Sequence, residues 1–120
     1  MAAPVLVVHD QGELLNEICD ALGAAGHEVV RCTGSMEALC VLDDAGPLSA
    51  LITRVRFPRG QPNGVALARM ARTKRHDIKI VFFADPQFEG DAEGLGDFVD
   101  ADAEMTKLVE KVDRLVGLAR

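Results

Sequence analysis

His9 and Asp10 stand side by side at the end of one apolar run, Val5-Leu6-Val7-Val8, and a single cation, Arg54, ends another, Leu51-Ile52-Thr53. An imidazole beside a carboxylate can ligate a metal or act as a switch near neutral pH. One His and one Asp are too few donors for a committed metal site, so no metal is expected. A guanidinium is planar and permanently charged, with no lone pair to offer. It can clamp a carboxylate, but it cannot act as a nucleophile. The cysteines Cys19, Cys32 and Cys40 show neither CxxC spacing nor a predicted neighbour at the end of a strand. Their odd number argues against a disulfide framework, and each lies in an apolar pattern that predicts a small core residue. No GxGxxG or Walker motif follows Val8, Thr53 or Phe83. The expectation is a protein that is not an enzyme and has no cofactor.

The elements that must position these residues alternate along the chain. Val5 to Val8 is continuous rather than alternating, as a strand buried on both faces should be. Gln11 to Ala25 follows as a helix with Leu14, Leu15, Ile18 and Leu22 on one stripe, Asp10 as N-cap and Gly26 as a left-handed terminator. His27 to Cys32 is a more polar strand, nearer an edge. Ser35 is placed to cap a helix from Met36 to Ala45, stopped by Gly46-Pro47. Leu48 to Thr53 is the third strand. Pro58, Gly60 and Pro62 make 56–63 a loop, Gly64 to Lys74 is a helix, and Ile78 to Phe83 is the fourth strand. Three glycines between Asp85 and Gly96 leave room for one short helical turn. Asp97 to Asp100 is a brief fifth strand. The last helix, Asp102 to Ala119, is capped by Asp102 and carries the stripe Met105, Leu108, Val112, Leu115. Strand–helix alternation repeated five times predicts an α/β fold: a doubly wound, five-stranded parallel sheet of flavodoxin-like type. In such sheets the working crevice lies at the carboxyl ends of the strands, here His9-Asp10, Arg54, Ala84 and Asp100-Ala101.

At 120 residues the chain is expected to be a single domain, 1–120, with a core large enough to need no staples. No apolar run approaches membrane-spanning length and no signal peptide is evident, so the expected address is cytoplasmic. The net charge of −6 hides a segregation. Residues 54–79 hold eight Arg or Lys and one acid, whereas 85–104 hold eight acids and no Lys or Arg. Such a pattern can steer a charged protein partner. The overall acidity, and the lack of aromatics among the basic residues, argue against nucleic acid. His27 and His76, near strand starts, are expected at the surface.

Val5 to Asp10, then Leu51 to Pro58 with Asn63-Gly64, then Gly96-Asp97-Phe98-Val99 together resemble a receiver domain of two-component response regulators, over nearly the whole chain. The resemblance implies strand order 2-1-3-4-5. It also implies a site of five groups: two acids on the first strand that bind Mg²⁺, a phosphoacceptor Asp on the third, a Ser or Thr on the fourth, and a Lys after the fifth. The matching positions here are His9, Asp10, Arg54, Ala84 and Ala101, so only Asp10 keeps the expected type. Alternation points Thr53, the neighbouring hydroxyl, away from the crevice. The chain then looks like a degenerate pseudo-receiver. Arg54 is expected to stand in for the metal by bridging Asp10 and Asp100. The fourth helix is expected to be short or irregular, which weakens the face through which receivers pair. The expected state is a monomer or weak homodimer.

The function implied is a phosphorylation-independent interaction module of bacterial signalling. Its partner would be a histidine kinase, a phosphotransfer protein or another regulator, with Arg56 and Arg59 as candidate docking residues. No effector domain follows Arg120, so output is expected through a partner or a larger chain. A flavodoxin-like small-ligand domain, and a receiver phosphorylated on a displaced acid such as Asp10 or Asp100, remain as alternatives.

Overall fold

Every residue of β1 (Val5–Val8) and of β3 (Ala50–Thr53) is buried, which only the middle of a sheet covered on both faces allows. The computed structural model describes residues 3–44, 46–58 and 62–117. Its remaining elements are α1 (Gly12–Ala24), β2 (Val29–Cys32), α2 (Ser35–Asp43), α3 (Gly64–Lys74), β4 (Lys79–Ala84), a 3-10 turn (Pro86–Phe88), α4 (Glu89–Ala92), β5 (Asp97–Asp100) and α5 (Met105–Val116). The five strands are all parallel, in the order β2-β1-β3-β4-β5.

Alternation along the strands divides the core in two. Leu6, Val8, Leu51, Ile80 and Phe82 face α2 and α3, against Ala38, Leu42, Leu67 and Ala71. Val5, Val7, Ile52, Val81 and Phe83 face α1 and α5, against Ile18, Leu22, Leu108 and Val112. Burying each of the larger side chains contributes roughly 1.5–3 kcal/mol. Between β4 and β5 the 3-10 turn and α4 together give the short, irregular fourth helix. Gly26 (φ 96°) and Gly117 (φ 74°) take the left-handed conformation after α1 and α5. No helix among the described residues is long and apolar enough to cross a membrane.

Three expected caps form differently: the Asp10 and Ser35 side chains have other partners, and the Asp102 backbone is held in a turn ahead of the helix. Asp10 does not cap α1: Gln11 takes the N-cap position, and its own N–H donates to His9 Nδ1 at 3.0 Å. Ser35 lies inside α2 and donates from Oγ to the Pro62 carbonyl at 2.7 Å, while Glu37 Oε1 accepts from the Thr33 N–H. That helix ends at Asp43, and Ala45 lies outside the described residues. Asp102 does not cap α5, which starts at Met105 after Glu104. Instead the Asp102 N–H closes a turn onto Asp100 Oδ1 at 2.8 Å. The last two residues of the expected final helix, Leu118 and Ala119, lie outside the described residues.

His27 is a further correction. It is not at the surface: its side chain is 1% exposed, and Nε2 lies 2.6 Å from Asp113 Oδ1 on α5. His76 is exposed. Of the cysteines only Cys32 is fully buried; Cys19 is half-buried and Cys40, expected in the core, is exposed. Burial, then the nearby Glu37 carboxylate, push the Cys32 thiol up to about 12, and burial also raises Cys19. Both therefore stay protonated near neutral pH and are poor nucleophiles.

Candidate functional site at the carboxyl ends of the strands

Parallel pairing brings the ends of β1, β3, β4 and β5 to one side of the sheet. Val8 sits opposite Thr53, Thr53 opposite Phe82, and Ala84 opposite Asp100. The next residues out are His9, Arg54 and Ala101, the last held by its N–H to the Ala84 carbonyl at 2.9 Å. Five of the sequence-derived site residues, His9, Arg54, Arg56, Ala84 and Ala101, line one cavity of about 180 Å³, walled on its apolar side by Leu14, Phe83 and Phe88. A larger, open hollow of about 420 Å³ lies between α4 and β5. Among the described residues its lining offers the carboxylates of Glu89, Glu93 and Asp97 with no cation, hydroxyl or imidazole, and no metal-ligand set occurs.

Arg54 is the organising charge. Its Nη1 donates to Asp10 Oδ1 at 2.6 Å, with the two side chains 30% and 21% exposed. That exposure places the pair between surface ion pairs, worth about 0–1 kcal/mol, and buried ones, whose breaking costs about 3–5 kcal/mol. The Asp100 carboxylate is no part of this pair: its Oδ1 accepts the Asp102 N–H instead. Thr53 is buried, and its hydroxyl donates to the Arg54 carbonyl at 2.9 Å. Behind Arg54, α3 closes in tightly, with the Gly64 N–H donating to the Val55 carbonyl at 2.7 Å.

His9 is buried and neutral. Burial first, then the Arg54 charge, lower its pKa, and Asp10 only partly opposes them. Its Nδ1 accepts the Gln11 N–H, so the ring proton sits on Nε2. The 4.0 Å between Nδ1 and Asp10 Oδ1 is thus a lone pair facing a carboxylate rather than an ion pair. A His held neutral on folding makes stability depend on pH. The unfolded chain takes up the proton first, near 6.5. The His9 contribution is therefore complete above that pH and declines as pH falls through it towards the lower folded value. Urea midpoints at about pH 7.5 and about pH 5.5 should show a smaller acid-induced loss for His9→Asn, which keeps an acceptor for Gln11, than for wild type. Equal losses would remove His9 from the account.

Could these residues hold the Mg²⁺ of receiver domains? Mg²⁺ needs hard oxygen donors in near-octahedral array. The crevice offers a single first-strand carboxylate, Asp10, already bound to a guanidinium, and the described residues contain no metal-ligand cluster of three. The donor set does not fit the ion.

One contact was not legible in the sequence. Arg56, exposed in the segment after β3, stacks on the Phe88 ring with its guanidinium carbon 5.2 Å from the centroid. The other candidate docking residue, Arg59, lies outside the described residues.

No protein-family model matches the chain, and no curated protein matches it. Solved structures do. A response regulator receiver protein from Sinorhizobium medicae superposes with TM-score 0.86 at 21% identity, covering 98% of this chain and 96% of that one. This chain has the receiver fold. A structure of adenylate cyclase from Rhodopirellula baltica gives TM-score 0.88 at 21% identity, over 98% of this chain and 89% of the other. The response regulator TrrA from Thermotoga maritima, in complex with Mg(2+)-BeF, gives 0.84 at 23% identity, over 94% and 98%. Identities this low, spread over whole chains, mark a shared receiver fold and leave the chemistry of the crevice to its own residues.

Proposed function

We propose that this chain is a pseudo-receiver: a cytoplasmic, non-catalytic protein-interaction module of two-component-type bacterial signalling that works without being phosphorylated. The observation that carries this is the Arg54–Asp10 pair at 2.6 Å. It sets a cation where the receiver resemblance places the phosphoacceptor carboxylate, and it occupies the one first-strand acid that could bind Mg²⁺. Ala84 and Ala101 stand where a hydroxyl and a lysine would clamp the phosphoryl oxygens. Phosphoryl transfer rests on positioning and charge neutralisation, and here the third-strand position supplies no acceptor and the fourth- and fifth-strand positions no clamp. TrrA has Mg(2+)-BeF bound; this chain uses a built-in guanidinium in place of such a ligand. The partner is a histidine kinase, a phosphotransfer protein or another regulator. It is met by the basic stretch around Arg56 and Arg59 or by the acidic stretch 85–104, with charge setting encounter rate and orientation.

The test is incubation with a small acyl phosphate and Mg²⁺, read by intact-mass spectrometry. No phosphoryl adduct is expected. A stoichiometric adduct that maps to Asp10 or Asp100 would replace this reading with that of a receiver phosphorylated on a displaced acid.

A further inference from the structure

The segment leaving β3 carries two arginines, and each reaches a different neighbouring loop. Arg54 turns towards β1 and binds Asp10, just ahead of α1. Arg56 turns towards β4 and lies over Phe88, the last residue of the 3-10 turn. Because β3 lies between β1 and β4 in the sheet, one short segment grips the loops on both sides of it. The cavity between these loops has Arg54 and Arg56 on its lining against Asp85 and Asp102, so its charges cancel and select no ligand by sign. What the two arginines do define is a mechanical link.

We propose that Arg54 and Arg56 form a two-sided clasp, which holds the loops after β1, β3 and β4 in one arrangement with neither metal nor phosphoryl group. The Arg54 arm rests on the reading given above, whereas the Arg56 arm stands on its own contact. The two arms differ in kind. Arg54–Asp10 is a charge-assisted hydrogen bond with fixed geometry. Arg56–Phe88 is a cation–π contact, weaker and partly exposed. Each anchors a local turn whose amides can report on it. On one side the Gln11 N–H is bound to His9 Nδ1. On the other, the Gln87 N–H is bound to Asp85 Oδ1 at 2.9 Å and the Phe88 N–H to the Asp85 carbonyl at 3.0 Å.

Amide hydrogen exchange on the intact chain tests the clasp. Arg56→Ala should speed exchange at Gln87 and Phe88 by about two- to fivefold, the factor set by an exposed cation–π contact, and leave Gln11 unchanged. Phe88→Leu should speed exchange at the same two amides at least as much, because it also alters the packing of Phe88 against the core, and adding Arg56→Ala to it should give nothing further, since the contact is already gone. Arg54→Ala should speed exchange at Gln11. If Arg56→Ala leaves Gln87 and Phe88 at wild-type rates, or if the two single effects simply add, the clasp is overturned. Neither result bears on phosphorylation, which the mass measurement reads separately.

Discussion

Gly64→Ala is expected to be the most damaging small substitution in the chain, costing at least about 3 kcal/mol. A Cβ at this position would lie 1.7 Å from the Arg54 carbonyl oxygen, 2.8 Å from the Arg54 carbonyl carbon and 3.0 Å from Val55 Cα. All three are backbone atoms, so no side-chain rotation relieves the overlap. Relief requires α3 to back away from the end of β3, which breaks the Gly64 N–H bond to Val55 and pulls Ala68 and Ala71 from the core. The same shift moves Arg54 off Asp10. Gly96→Ala should cost less, about 1–3 kcal/mol. There the Cβ would lie 2.5 Å from the Ile80 carbonyl oxygen and 2.8 and 2.9 Å from Ile80 Cβ and Cγ2, an overlap smaller than that at Gly64. Urea unfolding measures both. A wild-type midpoint for Gly64→Ala would mean that α3 does not pack on β3 as described.

The second large effect is expected at the far end of the sheet. Asp113→Ala should lower stability by about 1–3 kcal/mol, because it leaves a polar ring nitrogen of His27 buried without its acceptor. His27→Ala should cost at least as much, since it opens a cavity in addition. Asp113→Asn keeps an oxygen that can accept from Nε2 and should recover most of the loss. The contact spans 86 residues of sequence and ties the start of the second strand region to α5. Losing it should therefore loosen α5 first. Thermal melts followed by hydrogen exchange of the α5 amides measure this. If Asp113→Ala matches wild type, the His27 contact holds nothing together.

What was readable in the sequence, and what was not, divides along the range of the interactions. The continuous apolar runs at Val5–Val8 and Ala50–Thr53 announce buried parallel strands because a strand covered on both faces has no polar side. The glycines at 90, 94 and 96 announce a stunted fourth helix for an equally local reason. Caps were legible only as possibilities. Asp10, Ser35 and Asp102 are all competent N-caps, but Asp10 is bound to an arginine 44 residues away and Ser35 to a carbonyl 27 residues away. His27 and Phe88 were missed for the same reason: the partner of each is chosen by tertiary packing, which spacing along the chain does not encode. In the crevice, residue types alone pointed to Arg54 and Asp10. The stack of Arg56 on Phe88 needed the folded loops, whereas the turn that occupies Asp100 is local: an Asp accepting the N–H two residues on competes with any bridge to Arg54.

The central claim is that a guanidinium has taken the place of metal and phosphoryl chemistry in a receiver fold. Its most direct test is a two-dimensional amide NMR spectrum of the wild-type chain, titrated with Mg²⁺ and then with beryllofluoride, a mimic of a bound phosphoryl group. The account predicts that His9, Asp10, Arg54 and Ala84 show no saturable shifts with either addition. Saturable shifts at those residues would mean that the crevice still accepts the ligands of a phosphorylated receiver, and would contradict the role given to Arg54.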